Sequence, residues 1–219
     1  MHTFKEGFTL AEVLITLLII GVIASIVIPG IINNTNEAEY NAGIKKVYAD
    51  LSNAVKVIQV NNGGTVNVGD VSGSSSVTFR DDFCNVMSCI KTDTATNIFG
   101  SNTYKYYKGV NWNVVGSSIN SAAALNNGTL IKFESGGNCN NFVPLNVCGY
   151  MWVDINGQKG PNMWGKDLYF FYVARKNGYY SLLPAGTQND TSYSATTCAV
   201  GDNGVGCTAW RLRDPDHMP

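Results

Sequence analysis

The sequence predicts an α+β fold, in which a long N-terminal helix packs on a small antiparallel sheet with disulfide-stapled loops. Three observations predict it. An apolar run without charge, Val13–Ile28, continues past Pro29 into a stretch of helical periodicity. Strand-like segments then follow from Thr129 onward, two of them flanking Asn177-Gly178. All six cysteines lie beyond the helix, none before Cys84.

The apolar run comes first. With its flanks Phe8–Leu10 and Ile31–Ile32 it is long enough to cross about 30 Å of hydrocarbon. A buried core helix, a cleaved secretory signal and a retained membrane helix all begin this way. For the signal reading, Val22-Ile23-Ala24 resembles a small-residue cleavage site and the mature chain would start at Ser25. Three features favour retention. Glu12 stands inside the apolar stretch, opposing insertion by about 2–3 kcal/mol against roughly 5 kcal/mol from the surrounding Val, Leu and Ile. His2, Lys5 and Glu6 give little of the positive charge expected of a secretory signal. The helical pattern does not stop at Pro29 but runs to about Val60.

That second half is amphipathic. Ile44, Val47, Leu51, Val55 and Ile58 step by three and four, which puts them on one face. Asn61-Asn62-Gly63-Gly64 should end the helix. Between the halves, Pro29 removes the partner of the Ser25 carbonyl and Gly30 follows directly, so a kink or local melting is expected between Gly21 and Gly30.

The residues Lys5-Glu6-Gly7-Phe8-Thr9-Leu10-Ala11-Glu12-Val13-Leu14 resemble the cleavage and methylation motif of type IV pilin-like proteins, which include the type II secretion pseudopilins. Gly7, Phe8 and Glu12 match residue by residue, Gly21 and Pro29 fall where such helices carry weakening residues, and Glu6 departs from the more usual basic residue. The resemblance covers roughly residues 1–60. It implies a leader over 1–7, a membrane and filament-core helix over 8–32, an amphipathic helix over 33–62 and a head over 63–219. It also implies cleavage between Gly7 and Phe8 by a prepilin peptidase, N-methylation of Phe8, and pairing of Glu12 with the Phe8 amine of a neighbouring subunit. The implied partners are other pilin or pseudopilin subunits, an inner-membrane assembly platform and membrane lipid. The implied place is the cytoplasmic membrane with the head outside the cytoplasm, followed by a periplasmic or surface filament.

In the head, residues 63–76 read as a loop, 77–128 give no clear period, and Ser121–Leu125 is expected to be a short helix. Thr129–Glu134, Gly149–Ile155, Leu168–Val173 and Tyr179–Leu183 read as strands, giving a sheet of three or four. Residues 185–219 read as loop. Cys84, Cys89, Cys139, Cys148, Cys198 and Cys207 lack metal-site spacing and have no neighbouring histidine, so disulfides in an oxidising compartment are expected. Six cysteines allow 15 connectivities. Pairing between neighbours is expected because each pair would close a short loop.

One segment carries a ligand-like pattern. Asp154, Asn156 and Gly157, followed by Asp167, resemble the opening of a calcium loop, although the acid of the twelfth position is missing. The same residues also read as turn chemistry, since Asn-Gly and Gly-Pro are both turn formers. No catalytic motif is present and no enzymatic activity is expected. A net charge of -1 with no basic stripe excludes an electrostatic nucleic-acid binder. Three functions stay open: a secretion pseudopilin, a type IV pilus subunit for adhesion, motility or DNA uptake, and a secreted or anchored binding domain with an ordinary signal.

Overall fold

The computed structural model describes residues 7–69, 76–100, 103–112, 121–137, 139, 146–187, 198–199 and 201–213, apart from the side chains of 33 and 34. The expected leader residues 1–6 and parts of the expected loops, 70–75, 188–197 and 214–219, lie outside the described residues. The chain divides into two units, Met1–Glu39 and Tyr40–Pro219.

Helix α1 covers Leu10–Asn61. It runs through Gly21, Pro29 and Gly30 without a break, so the melting expected there is absent. Pro29 is tolerated inside the helix. Local hydroxyls satisfy other carbonyls of this half: Thr16 Oγ1 donates to Val13 O at 2.9 Å and Ser25 Oγ to Val22 O at 2.7 Å. The helix ends as the Asn/Gly run predicts. Gly64 N donates to Gln59 O at 2.7 Å and Gly63 N to Val60 O at 3.3 Å, the paired bonds of a Schellman cap. Both glycines have positive φ, 66° and 99°, which a side chain would oppose.

In the second unit a six-stranded antiparallel sheet has the order β1-β4-β5-β6-β7-β8. Its strands are β1 (Cys89–Asp93), β4 (Ala122–Leu125), β5 (Leu130–Ser135), β6 (Val147–Asp154), β7 (Leu168–Lys176) and β8 (Tyr179–Pro184). A small hairpin joins β2 (Tyr104–Lys105) to β3 (Asn111–Trp112). Short helices α2 (Val77–Val86), α3 (Ala95–Phe99) and α4 (Cys207–Arg213) complete the unit. The four expected strands are present, and β1 and β4 extend the sheet beyond the expected three or four. Ser121–Leu125 is corrected: Ala122–Leu125 is a strand, because β1 and β5 pair with it on either side. The helical propensity of three alanines yields to that pairing. The expected loop over 185–219 is also corrected, since α4 lies within it.

The apolar stripe of α1 packs where the period predicts. Ile44, Val47, Leu51, Ala54, Val55 and Ile58 are buried with Phe79 and Phe83 of α2 and one face of the sheet. That face is read from the register, which aligns Ile131 with Val153 and Tyr169, and Phe133 with Met151 and Phe171. Each fully buried aliphatic side chain contributes about 1.5–3 kcal/mol. The opposite face, with Leu130, Phe170 and Tyr172, packs on a second cluster that includes Phe99, Tyr104 and Trp164. The sheet is thus covered on both sides, which accounts for seven buried residues in succession at the start of β7.

Gln59 joins α1 to the β7–β8 hairpin. Its Nε2 donates to Gly178 O at 3.0 Å, and its Oε1 accepts from Tyr180 N at 3.2 Å. The hairpin turns on Asn177 and Gly178, both at positive φ, as Asn-Gly predicts.

Candidate functional site

Two places hold the residues singled out by sequence. The first is the loop between β6 and β7. Asp154 closes β6 and Asp167 precedes β7, and both are fully buried. Asp154 Oδ2 accepts the Tyr104 hydroxyl at 2.7 Å, and Oδ1 accepts Asn156 N at 3.1 Å. Asp167 Oδ2 accepts Asn162 N at 2.8 Å, and Oδ1 accepts Met163 N at 2.7 Å. The backbone binds the same loop to β2: Lys105 N donates to Asn162 O at 2.8 Å and Trp164 N to Lys105 O at 3.0 Å.

Burial, and next the neighbouring Asp167 charge, push the Asp154 carboxyl up to about 8. Burial likewise raises Asp167, against the backbone N–H groups that favour its charge. Burial first and then Asp154 raise the Tyr104 phenol.

These residues do not fit a calcium ion. Calcium takes six to eight oxygens, whereas each carboxylate oxygen here already accepts a donor from the chain. With its amide oriented to suit its neighbours, Asn156 turns its NH2 group to Asp154 Oδ1 at 2.9 Å and to Lys159 O at 3.2 Å, so it offers a donor where a ligand oxygen would be needed. Among the described residues no group of three or more His, Cys, Asp or Glu is placed to hold a metal. Asp154, Asn156 and Asp167 organise a loop, which is the turn reading of the same segment.

The second place is the start of α1. Thr9 donates from N and from Oγ1 to Glu12 Oε2, each at 2.8 Å, and Glu12 N donates to Thr9 Oγ1 at 3.3 Å. Side chain and backbone thus cap each other across three residues, and the Glu12 carboxylate satisfies the Thr9 amide just before the helix. Phe8 just before it is 89% exposed. Past Glu12 the apolar side chains from Val13 to Ile28 are exposed, apart from the half-buried Ala24. This helix is long and apolar enough to cross a membrane, its most apolar stretch having a mean hydropathy of 2.8.

Residues 4–28 match the family model described as the prokaryotic N-terminal methylation motif. The N-terminus is of the prepilin type. Over 58 residues the chain is 34% identical to the type II secretion system core protein G of Escherichia coli (strain K12) and 33% identical to that of Aeromonas hydrophila. Each similarity covers 26% of this chain, and 39% and 40% of the respective relative, so the chain spans about two fifths of the length of the curated relatives it matches. No solved structure matches.

Gly7, Phe8, Glu12 and Gly21 all lie within the prepilin-type segment, and Pro29 follows it directly. The cysteines are elsewhere and pair as neighbours: Cys84 with Cys89, Cys139 with Cys148, and Cys198 with Cys207. Sequence reasoning missed two participants. Thr9 was legible, since Thr-x-x-Glu before an apolar run is a capping box. Tyr104 was not, because its partner Asp154 is fifty residues away.

Proposed function

We infer that this chain is a filament subunit, a pseudopilin of a type II secretion system. The single observation that carries the reading is the prepilin-type N-terminus leading into a 52-residue helix. The likeness to the core protein G of two secretion systems supports the secretion assignment. In this reading a prepilin peptidase cuts between Gly7 and Phe8, and the new Phe8 amine is methylated. The apolar half of α1 holds the subunit in the cytoplasmic membrane, with the head outside the cytoplasm. Three disulfides suit such an oxidising compartment. On assembly, Glu12 exchanges its Thr9 donors for the Phe8 amine of a neighbour. Opposite charges attract strongly in a low-dielectric setting, and each alone there is costly.

A type IV pilus subunit is the second reading. The same N-terminus serves it, and a head stapled by three disulfides suits an exposed fibre.

Mass spectrometry of the mature N-terminus tests the filament reading. N-methylated Phe8 is expected, and a chain beginning at Ser25 overturns it in favour of an ordinary secretory signal. Deletion then separates the two filaments. Loss of protein secretion without loss of surface fibres supports the pseudopilin, and loss of long surface fibres supports the pilus.

A further inference from the structure

The β1 edge of the sheet is not filled as its centre is. Ala124 of β4 lies opposite Leu130 of β5 on one side and Lys91 of β1 on the other. Its short side chain leaves a groove of about 540 Å³ there, within the size range of ligand-binding clefts. Ile98, Leu125 and Leu130 give the groove apolar walls. The β6–β7 loop and the β4–β5 turn form one continuous wall, since a Cβ on Gly157 would lie 2.6 Å from Gly128 O.

Two features of β1 shape the rim. The register slips between Cys89 and Lys91, which leaves Ile90 as the extra residue of a bulge. Ile90 is 70% exposed, an isoleucine turned to solvent beside an apolar cleft. Lys91 is on the rim as well, and the β6–β7 loop contributes Lys159. These two lysines are the charged residues of the lining, and both are exposed. Asp93 lies 4.0 Å from Lys91, but an exposed pair at that distance contributes little. Asp93 Oδ1 already accepts Thr94 N at 2.7 Å and Asn97 Nδ2 at 3.0 Å. The bulge and Lys91 also interrupt the backbone edge of β1, which disfavours strand addition and leaves recognition to side chains.

We propose that this groove docks an acidic, apolar peptide segment of a partner protein, with a branched aliphatic side chain seated between Ile90 and Ala124 and flanking carboxylates meeting Lys91 and Lys159. The rim amides of Asn97 and Gln158 suit a peptide, because a carboxamide both donates and accepts as a peptide bond does. Two lysines are too few for a nucleic acid, which needs a basic stripe. The proposal concerns the head alone and does not depend on which filament the N-terminus builds.

Fluorescence anisotropy with the full, detergent-solubilised chain tests this. The probe is a short labelled peptide with one Leu flanked by Glu in a Ser/Gly background, and its opposite has Lys in place of Glu. The chain should bind the acidic probe at least about tenfold more tightly than the basic one. Ile90→Ser should weaken that binding by about tenfold, since it removes apolar surface from the contact. Lys91→Glu/Lys159→Glu should reverse the preference between the probes. All three positions are exposed, so these variants should keep the parental melting temperature. In the unaltered chain, a benzophenone carried by the acidic probe should label β1 or β4. Equal binding of the two probes would overturn the proposal, as would labelling confined to other parts of the head. So would binding that survives both sets of substitutions. Ile90→Cys copies that a bismaleimide joins to each other in the presence of excess probe would place a second copy in the groove, and would overturn it too.

Discussion

Arg211 donates from Nη1 to Asn41 Oδ1 at 3.0 Å, joining the last helix to the first across 170 residues of sequence. Its Nε and Nη2 also donate to Gly165 O at 3.2 and 2.9 Å. One buried guanidinium therefore holds α1, α4 and the β6–β7 loop together. Arg211→Ala should destabilise the head by about 3 kcal/mol, since it leaves the buried Gly165 carbonyl and the half-buried Asn41 amide short of donors. Arg211→Lys should recover little, because an ammonium lacks the planar fork that reaches both partners. Thermal unfolding of the detergent-solubilised chain, followed by near-ultraviolet circular dichroism, reads both.

Gly43 of α1 faces Ile155 of the β6–β7 loop. A Cβ there would lie 2.8 Å from Ile155 Cδ1. Gly43→Ala should be nearly neutral, because the end of one flexible side chain can move and alanine gains about 1 kcal/mol of helix propensity. Gly43→Leu should cost about 2–3 kcal/mol by overpacking. Adding Ile155→Ala should return part of that loss, a coupling that a double-mutant cycle on the same unfolding assay would measure.

Asp154 gives the head a pH dependence of defined sign. Its folded value is raised, from 3.8 to about 8, so the folded state holds more protons than the unfolded one over that interval. The contribution is fully present below about pH 4 and is lost as pH rises through about 8. Between these limits, raising the pH should lower the melting temperature. Asp154→Asn should flatten the profile there and raise the melting temperature at pH 8 by a few degrees. A wild-type profile that climbs from pH 5 to 8, with Asp154→Asn climbing alongside it, would contradict this origin.

Glu12 should matter to assembly and not to insertion. Glu12→Val removes the one acid from an apolar stretch, so membrane insertion is retained or improved. Filament yield, measured by shearing and electron microscopy, should fall to a small fraction of the parent. Normal filaments from Glu12→Val would refute pairing of Glu12 with a neighbouring amine.

The parts of the fold that were legible in the sequence are those written in local pattern. The stripe Ile44–Ile58 has a helical period, Asn61–Gly64 holds the cap chemistry, and Asn177-Gly178 needs two positive φ values. The prepilin-type segment was legible for the same reason, since Gly7, Phe8 and Glu12 are neighbours. What escaped depends on distant partners. Ala122–Ala124 has helical propensity and becomes a strand only because Lys91–Asp93 and Leu130–Lys132 flank it. The acids Asp154 and Asp167 were visible, but their use was not: donors from Tyr104, Asn162 and Met163 decide it. Arg211 gave no local sign at all of a role in joining α1 to α4.

The three disulfides have a mechanical consequence. Each joins cysteines only five or nine residues apart, and none reaches α1. Under a pulling force they therefore shorten the extensible chain very little and leave the main helix free to peel from the sheet. Resistance to tension then comes from the buried stripe of α1 and from cross-ties such as those at Gln59 and Arg211. A chain drawn by its N-terminal helix would then yield at packed side chains, while its covalent loops stayed closed.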